Sequence, residues 1–464
     1  MNSLATRNMS TAGVSVQQRL LFLLIGAFLI LAPASVRGGD VEDPTLKWIR
    51  VGILAVATLV GAQWFRLPRL SDLSGKLLLM AVVFMVSALW SSSPYWGLLY
   101  KSMFVCSVCA SISLANCLRG ESDFRTLTRT LTFTAFVAVI IVAYLTFIAE
   151  DYVIWNGRLV IAHMNANSMG LSAAIFALLC LFHLLIRDSK AWRILAISVT
   201  AVMFLLIVCS GSRAAVLTVI AGIMALMPAL GRNRQSVVAF SIFSFLSLTA
   251  VAAVWISLPD TETADSYRFA SDYGESSGSL RILDELTKDT RMKIWRGVAE
   301  RWLDNDFALG AGWLHRNNRW ALVQSSYLQV VAEAGIPGLL CVLIFLFGGV
   351  STVRRAIRLA PQRRRFGSVF IYVFAAAFFA LAFHGFFESS AVAGSSPNSI
   401  LLGFSAAQLD VQLRLHNIRR RHPNGPAGLR AVPQTECQDQ LTTQITLGTR
   451  SRPASVKSSG HQSK

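Results

Sequence analysis

Charge is scarce in this chain, and acid is scarcer than base. Of 464 residues only 15% are Asp, Glu, Lys or Arg, with 25 acidic against 43 basic, while 54% are hydrophobic. That balance excludes a water-soluble globule of this size, and the mean hydropathy of +0.52 agrees. Reactive motifs are missing too. The chain has no phosphate-binding P-loop, no Gly-x-Gly-x-x-Gly following a strand, no His-Glu-x-x-His and no Gly-x-Ser-x-Gly, which sets nucleotide-driven chemistry aside. Only seven cysteines occur, mostly inside apolar runs. Cys106-Ser107-Val108-Cys109 has Cys-x-x-Cys spacing but lacks the polar setting of a metal or redox site, so the cysteines read as packing residues. No metal and no cofactor are expected.

What the chain does have is apolar runs of about 20 residues, the length that a helix needs to cross a bilayer. They lie at 20–36, 48–65, 76–95, 97–117, 127–148, 168–186, 193–210, 214–230, 236–257, 330–351, 367–387 and 393–410. The expected fold is therefore all-α, a polytopic transmembrane bundle of about twelve helices. Arg7 and Arg19 precede a first run ending in Ala32-Pro33-Ala34. That pattern also fits a cleaved signal peptide, with an uncleaved first helix as the simpler reading.

Basic residues fix the expected orientation, because Lys and Arg beside a span stay in the cytoplasm. Arg66, Arg69 and Lys76 follow the second run, Arg119, Arg125 and Arg129 the fourth, Arg187, Lys190 and Arg193 the sixth, and Arg232 and Arg234 the eighth. Arg354, Arg355, Arg358 and Arg363-Arg364-Arg365 follow the tenth, and Arg414 and Arg419-Arg420-Arg421 the twelfth. Every second loop is basic, which puts both termini in the cytoplasm. The net charge of +18 is thus spread over loops and a tail, with no compact basic domain for nucleic acid. Residues 1–411 read as one membrane domain. Residues 412–464, rich in Ser, Thr, Gln, Pro and Arg, read as a disordered basic tail beside anionic membrane lipids.

One large hydrophilic loop remains, at about 258–329, on the periplasmic side by this count. Asp260 to Gly278 is acidic and rich in Ser and Gly, and reads as a mobile stretch. From Thr290 to Trp302 the apolar residues Met292, Trp295, Val298, Ala299 and Trp302 recur every three or four positions. This spacing predicts an amphipathic helix suited to the headgroup layer, ending near Asn305. Leu309-Gly310-Ala311-Gly312-Trp313 follows as a glycine-rich turn.

Four stretches, in this order and spacing, carry a resemblance. Ile161-Ala162-His163-Met164-Asn165-Ala166-Asn167-Ser168-Met169-Gly170 contains an Asn-x-x-Gly helix entry, and Cys209-Ser210-Gly211-Ser212-Arg213-Ala214 contains a Ser-Arg step between two spans. Arg291 to Trp295 is followed by Leu309-Gly310-Ala311-Gly312, and Ser326 to Gly338 forms a re-entry helix beginning Ser-Tyr-Leu. Together they resemble the bacterial O-antigen ligase and exopolysaccharide polymerase superfamily of membrane glycosyltransferases. The likeness covers about residues 150–345, and nearly the whole chain in topology. Where that family usually begins its re-entry helix His-Asn-x-Tyr-Leu, this chain has Gln324 and Ser325.

The resemblance implies a metal-independent membrane glycosyltransferase of the bacterial inner membrane. Its substrate would be an oligosaccharide linked to undecaprenyl diphosphate, and its partners a chain-length regulator and polysaccharide export proteins. The candidate catalytic residues are Arg213, Arg291, Gln324 and Glu333, together with His315, a loop histidine nine residues before Gln324 that could approach the same space or be a bystander. Arg158, Asn167, Arg296 and Tyr327 would bind substrate, and His384 with Glu388, at the outer end of the eleventh run, is a weaker case of the kind that Glu333 represents. Arginine suits a departing diphosphate, because guanidinium stays protonated and offers two parallel donors to phosphate oxygens. A charge such as Glu333, inside a span, is costly without a partner and points to function. Gln324 can position a hydroxyl but does not move protons as imidazole does. Exopolysaccharide polymerase is the expected activity. Transfer to lipid A core by a ligase is the alternative within the family, and a lipid-linked-sugar transporter is the alternative outside it. Such a transporter would show internal repeats and helices broken near the midplane.

Overall fold

The computed structural model describes residues 14–34, 44–91, 93–118, 121–149, 152–155, 158–161, 166–186, 188–230, 290–306, 308–312, 325–360, 365–386 and 396–421. The apolar run 236–257, the acidic stretch 260–278, His315, Gln324 and Glu388 lie outside them. The described helices are α1 (Val16–Ala34), α2 (Pro44–Gly61), α3 (Leu73–Val86), α4 (Pro94–Cys117), α5 (Glu121–Phe147), α6 (Ala166–Ile186), α7 (Lys190–Cys209), α8 (Arg213–Leu230), α9 (Thr290–Arg301), α10 (Ser326–Leu359), α11 (Arg365–His384) and α12 (Pro397–Arg421). Short 3-10 turns extend α2 and α3, at Ala62–Trp64 and Ser87–Trp90, and a π-turn at Trp302–Asp306 ends α9.

Six helical segments are long and apolar enough to cross a membrane: Leu73–Trp90, Pro94–Cys117, Glu121–Phe147, Lys190–Cys209, Ser326–Leu359 and Gly367–His384. Shorter apolar segments occupy Val16–Leu31, Trp48–Trp64, Met169–Cys180 and Ala214–Ile223. The sequence-predicted runs among the described residues fall largely on helices, although the run 76–95 passes the end of the 3-10 turn at Trp90 and reaches into α4. The outward surface is what lipid requires: Leu23, Leu59, Phe133, Ile140, Phe147, Ile194, Ile220, Phe347 and Val350 are all exposed. The protein is a membrane-embedded, predominantly helical chain.

Two details differ from the sequence reading. Tyr152–Trp155 (β1) and Arg158–Ile161 (β2) pair antiparallel, with Trp155 opposite Arg158. Asn156-Gly157 between two runs rich in β-branched residues is a strong hairpin signal, but the helical expectation passes over it. The tail expected to lose structure from about 412 instead continues α12 to Arg421. Val411 to Arg421 contains no Gly or Pro, and Pro423 is the first strong breaker. Two compact units divide the chain, Met1–Arg414 and Leu415–Lys464, and the second contributes only the end of α12 to the described residues.

Within the first unit, α3 packs on α4 and α10, α6 on α7 and α8, and α11 on α8, α6 and α10. Small residues let the backbones approach, as where Gly403 of α12 lies against Ser111 of α4, whose hydroxyl donates to the Ile400 carbonyl at 2.7 Å. Helix ends inside the bundle receive polar partners from distant residues. Asp410 of α12 accepts from the N–H groups of Leu73 and Ser74 at 3.0 and 2.8 Å and from the Ser74 hydroxyl at 2.7 Å. It therefore caps α3 from across the bundle, while Asp72, at the N-cap position, pairs with Arg414 at 2.6 Å. At the end of α4, the carbonyls of Ala115 and Cys117 accept from Gln408 and Gln18.

The α6–α7 turn is held by another polar knot. The buried Asp188 takes two hydrogen bonds from Arg129 of α5, at 3.1 and 2.6 Å, and lies 3.0 Å from Nδ1 of His183, whose ring stacks on Trp192. Burial works to raise the Asp188 pKa. The Arg129 hydrogen bond, the Ser189 N–H and the nearby positive charge override it and bring the carboxyl down to about 2. Because that value lies below the ordinary carboxylate range of about 3.9, Asp188 stabilises the fold fully above about pH 4, and the contribution fades as pH falls through about 2. Asp188→Asn is expected to lose about 1–3 kcal/mol at neutral pH, discounted because Arg129 is partly solvated. Thermal unfolding in detergent should show the gap between wild type and variant closing between pH 4 and pH 2; a constant gap would refute the assignment.

Candidate functional site

The four motif stretches converge on one end of the bundle. Gly170, in the first turns of α6, lies against the turn that joins α7 to α8. A Cβ at Gly170 would collide with the Ser210 hydroxyl and come within 2.9 Å of the Ser212 Cβ. That turn is tight because Gly211 takes φ +59°, a left-handed conformation that favours glycine. The Ser210 hydroxyl accepts from the Ser212 N–H at 3.3 Å, and the Ser212 hydroxyl accepts from the Ala215 N–H at 3.3 Å as an N-cap. Arg213 is thereby set as the first residue of α8, and Asn167 as the second of α6.

One turn further along α8, the Thr218 hydroxyl donates to the Ala214 carbonyl at 2.6 Å and lies 3.0 Å from Nδ1 of the buried His384 on α11. Since the hydroxyl proton is already used, Nδ1 of His384 is the donor in that contact. Gly385, the residue just after α11, accepts at its carbonyl from the Ser326 N–H at 2.8 Å, which ties the end of α11 to the start of α10. The Ser325 hydroxyl caps α10 by accepting from the Leu328 N–H. Serine is as good an N-cap as the asparagine of the resembled pattern, so this departure leaves the helix start intact. Tyr327 is buried and donates its hydroxyl to the Ala382 carbonyl at 2.8 Å, so its polar end serves the α10–α11 contact.

The glycine turn completes the end. Inside α10, Gly335 takes φ 62° and ψ −145°, which breaks the helix two residues before Pro337. The freed backbone groups meet residues 308–312: the Ala311 N–H donates to the Ala332 carbonyl at 2.9 Å, the Gly312 N–H to the Glu333 carbonyl at 3.0 Å, and the Ile336 N–H to the Ala308 carbonyl at 3.2 Å. Gly310 and Gly312 have φ +76° and +72°, and a Cβ at either would stand within 2.8 Å of backbone. Glycine is thus required by both conformation and proximity.

Beside this junction lies an ion pair that the sequence reading half anticipates. Glu333 stands out there as an expensive intramembrane carboxylate in need of a partner, and that partner is Lys101 of α4. Nζ of Lys101 lies 2.6 Å from the Glu333 carboxylate, with the two side chains 2% and 1% exposed. Lys101 also donates to the Ser87 hydroxyl at 2.7 Å and sits over the Phe84 ring, and Gln329 donates to Glu333 at 2.9 Å. Each residue lies seven positions into its helix, about 10 Å deep by helical rise. A lysine in the otherwise apolar segment Gly97–Cys117 carries the same signal as Glu333.

Other candidate positions are placed by their elements. Arg158 opens β2, and Arg291 is the second residue of α9. Arg296 is 83% exposed and pairs with Glu300 one turn along the same helix, at 2.8 Å, as a solvated surface pair. Among the described residues no three His, Cys, Asp or Glu side chains come together as metal ligands would. The geometry offers a stitched, partly polar end of a helical bundle with arginines at the starts of two helices. No family model matches the chain, and no curated protein matches its sequence.

Removing one member of the Lys101–Glu333 pair strands a charge in the bundle, whereas removing both does not. Glu333→Leu is expected to cost about 3–5 kcal/mol, and adding Lys101→Met should recover most of it. Unfolding midpoints of the two variants in detergent test this, and a double variant no more stable than the single one would contradict it.

Proposed function

We propose that this protein is a polysaccharide polymerase of the bacterial inner membrane. It transfers a glycan from undecaprenyl diphosphate to a second lipid-linked oligosaccharide at the periplasmic face. In this reading about twelve helices span the bilayer, both termini are cytoplasmic, and the segment 258–329 is a periplasmic loop over the site. The acceptor hydroxyl attacks the anomeric carbon, and the bond to the lipid diphosphate breaks. The growing negative charge on the leaving phosphate is met by arginines, with no metal required.

The observation that carries the reading is the position of Arg213 and Arg291. Each stands in the first turn of a helix, α8 and α9, and neither turn contains an acidic residue. The positive end of a helix dipole disfavours a cation and attracts an anion, by about 0.3–1 kcal/mol in either sense. Basic residues also open α7 and α11, at Lys190 and Arg365. In this topology those starts are cytoplasmic, where the positive-inside rule accounts for them. On the opposite face that account fails, and an anionic ligand such as a diphosphate supplies the missing reason. The juxtaposition of Gly170 with Ser210 and Ser212 adds support, since it joins two of the resembled motifs.

One observation favours the transporter reading: α10 is broken at Gly335 beside an intramembrane ion pair, features that secondary transporters share. The polymerase reading accounts for the break differently, as the seat of the glycine turn.

Mass analysis of lipid-linked saccharides from cells lacking the gene separates the readings. Single repeat units should accumulate on undecaprenyl diphosphate in the outer leaflet, with long polymer absent. Long chains piling up on the lipid would make the protein a ligase, and units confined to the inner leaflet would make it a transporter. In complemented cells Arg213→Ala should lower polymer output by about a hundredfold or more with the protein still in the membrane; unchanged output would remove Arg213 from the site.

A further inference from the structure

Polar contacts and one close backbone approach at the motif-bearing end close into a ring. Ser87 and Ser91 belong to the 3-10 turn that ends α3 and its following residue, and the Ser91 N–H and hydroxyl both donate to the Ala88 carbonyl. Ser87 accepts from Lys101, Lys101 pairs with Glu333, and the carbonyl of the same Glu333 accepts from Gly312. Gly312 in turn rests on the backbone of Ser91, so closely that a Cβ would stand 2.8 Å from its N and Cα. The circuit therefore runs through α3, α4, α10 and the glycine turn, and returns to α3.

We infer that Lys101 and Glu333 are positioning residues which, through this ring, hold the glycine turn and with it the loop helix α9 over that end of the bundle. Only ten residues, 302–311, separate the end of α9 from Gly312 in the ring, so fixing the turn restricts where α9 and Arg291 lie. A lysine and a glutamate are suited to this task because a desolvated pair has one low-energy geometry, unlike an apolar contact that can slide. The side chain and the carbonyl of Glu333 thus act together. The ion pair sets the rotation of α10 just before its break, and that rotation aims the carbonyls of Ala332 and Glu333 at the turn. The inference rests on the proposed glycan transfer only for its catalytic consequence.

Hydrogen exchange followed by mass spectrometry on the full chain in nanodiscs reads the ring directly. In Lys101→Met/Glu333→Leu, which removes both charges, the amides of Ala311 and Gly312 should exchange at least tenfold faster than in wild type, with the amides of α11 and of α12 up to Arg414 unchanged. Gly312→Ala cuts the ring at its other contact without touching the charges and should loosen the same amides. Unchanged exchange at 308–312 in either variant, or faster exchange spread over all helices, overturns the inference. In a transfer assay the double variant should lower kcat at least tenfold with KM for the lipid-linked donor within twofold, and an unchanged kcat also overturns it. A wild type that transfers no glycan defeats the proposed function instead, while the exchange result still judges the ring.

Discussion

Lipid cannot satisfy a backbone N–H or C=O, and most of this structure follows from that constraint. Unbroken helices meet it internally, so the informative places are the ends and breaks, where partners must come from elsewhere. Asp410 reaches across the bundle to the start of α3, Gln408 and Gln18 reach the end of α4, and the turn 308–312 reaches the break in α10. None of these partners is near in sequence to the group it satisfies. Each one therefore fixes tertiary arrangement as well as local structure, in a bundle whose apolar contacts alone are poorly directional.

The constraint also separates the two ends of the bundle. At the end bearing Asp72, Asp188 and Asp410, carboxylates meet arginines or helix N–H groups, and every contact closes within the fold. At the other end the carboxylate of Glu333 meets a lysine, and the hydroxyls of Ser210, Ser212, Thr218, Ser325 and Tyr327 are occupied by backbone or by His384. Polar side chains there are largely spent on holding backbone in place. Such a frame is what the proposed function asks around the helix starts bearing Arg213 and Arg291, since a site must be preorganised.

Much of the helical frame was legible in the sequence, because apolar length is a direct statement about helices that can enter a membrane, and among the described residues six are long and apolar enough to cross one. The loop helix was equally legible from Met292, Trp295, Val298 and Trp302, and the glycine turn from Gly310 and Gly312. The ring was not, since periodicity locates Lys101 and Glu333 each on its own helix and contains nothing about which helices touch. Glu333 stood out because it lies inside both a span and a resembled motif, while Lys101 carried the same intramembrane signal outside any such motif. The β-hairpin and the extension of α12 were missed for another reason. A window tuned to 20 apolar residues ignores the turn chemistry of Asn156-Gly157 and the helix-forming polar residues after Asp410.

The departure at Gln324 and Ser325 also takes a physical meaning from the frame. The resembled His-Asn pair combines a proton-transfer group with a helix cap, two jobs that need not travel together. Ser325 keeps the cap, and the start of α10 is stitched to Gly385 as firmly as a cap and two hydrogen bonds allow. Departure from the resembled pattern at this point therefore leaves the start of α10 intact. In the displacement proposed above, charge accumulates chiefly on the departing diphosphate, so the arginines carry the larger share of stabilisation and proton removal from the acceptor the smaller. In that proposal the site tolerates glutamine in place of histidine and does not tolerate a displaced arginine, a demand that the hydrogen bonds around the glycine turn are suited to meet.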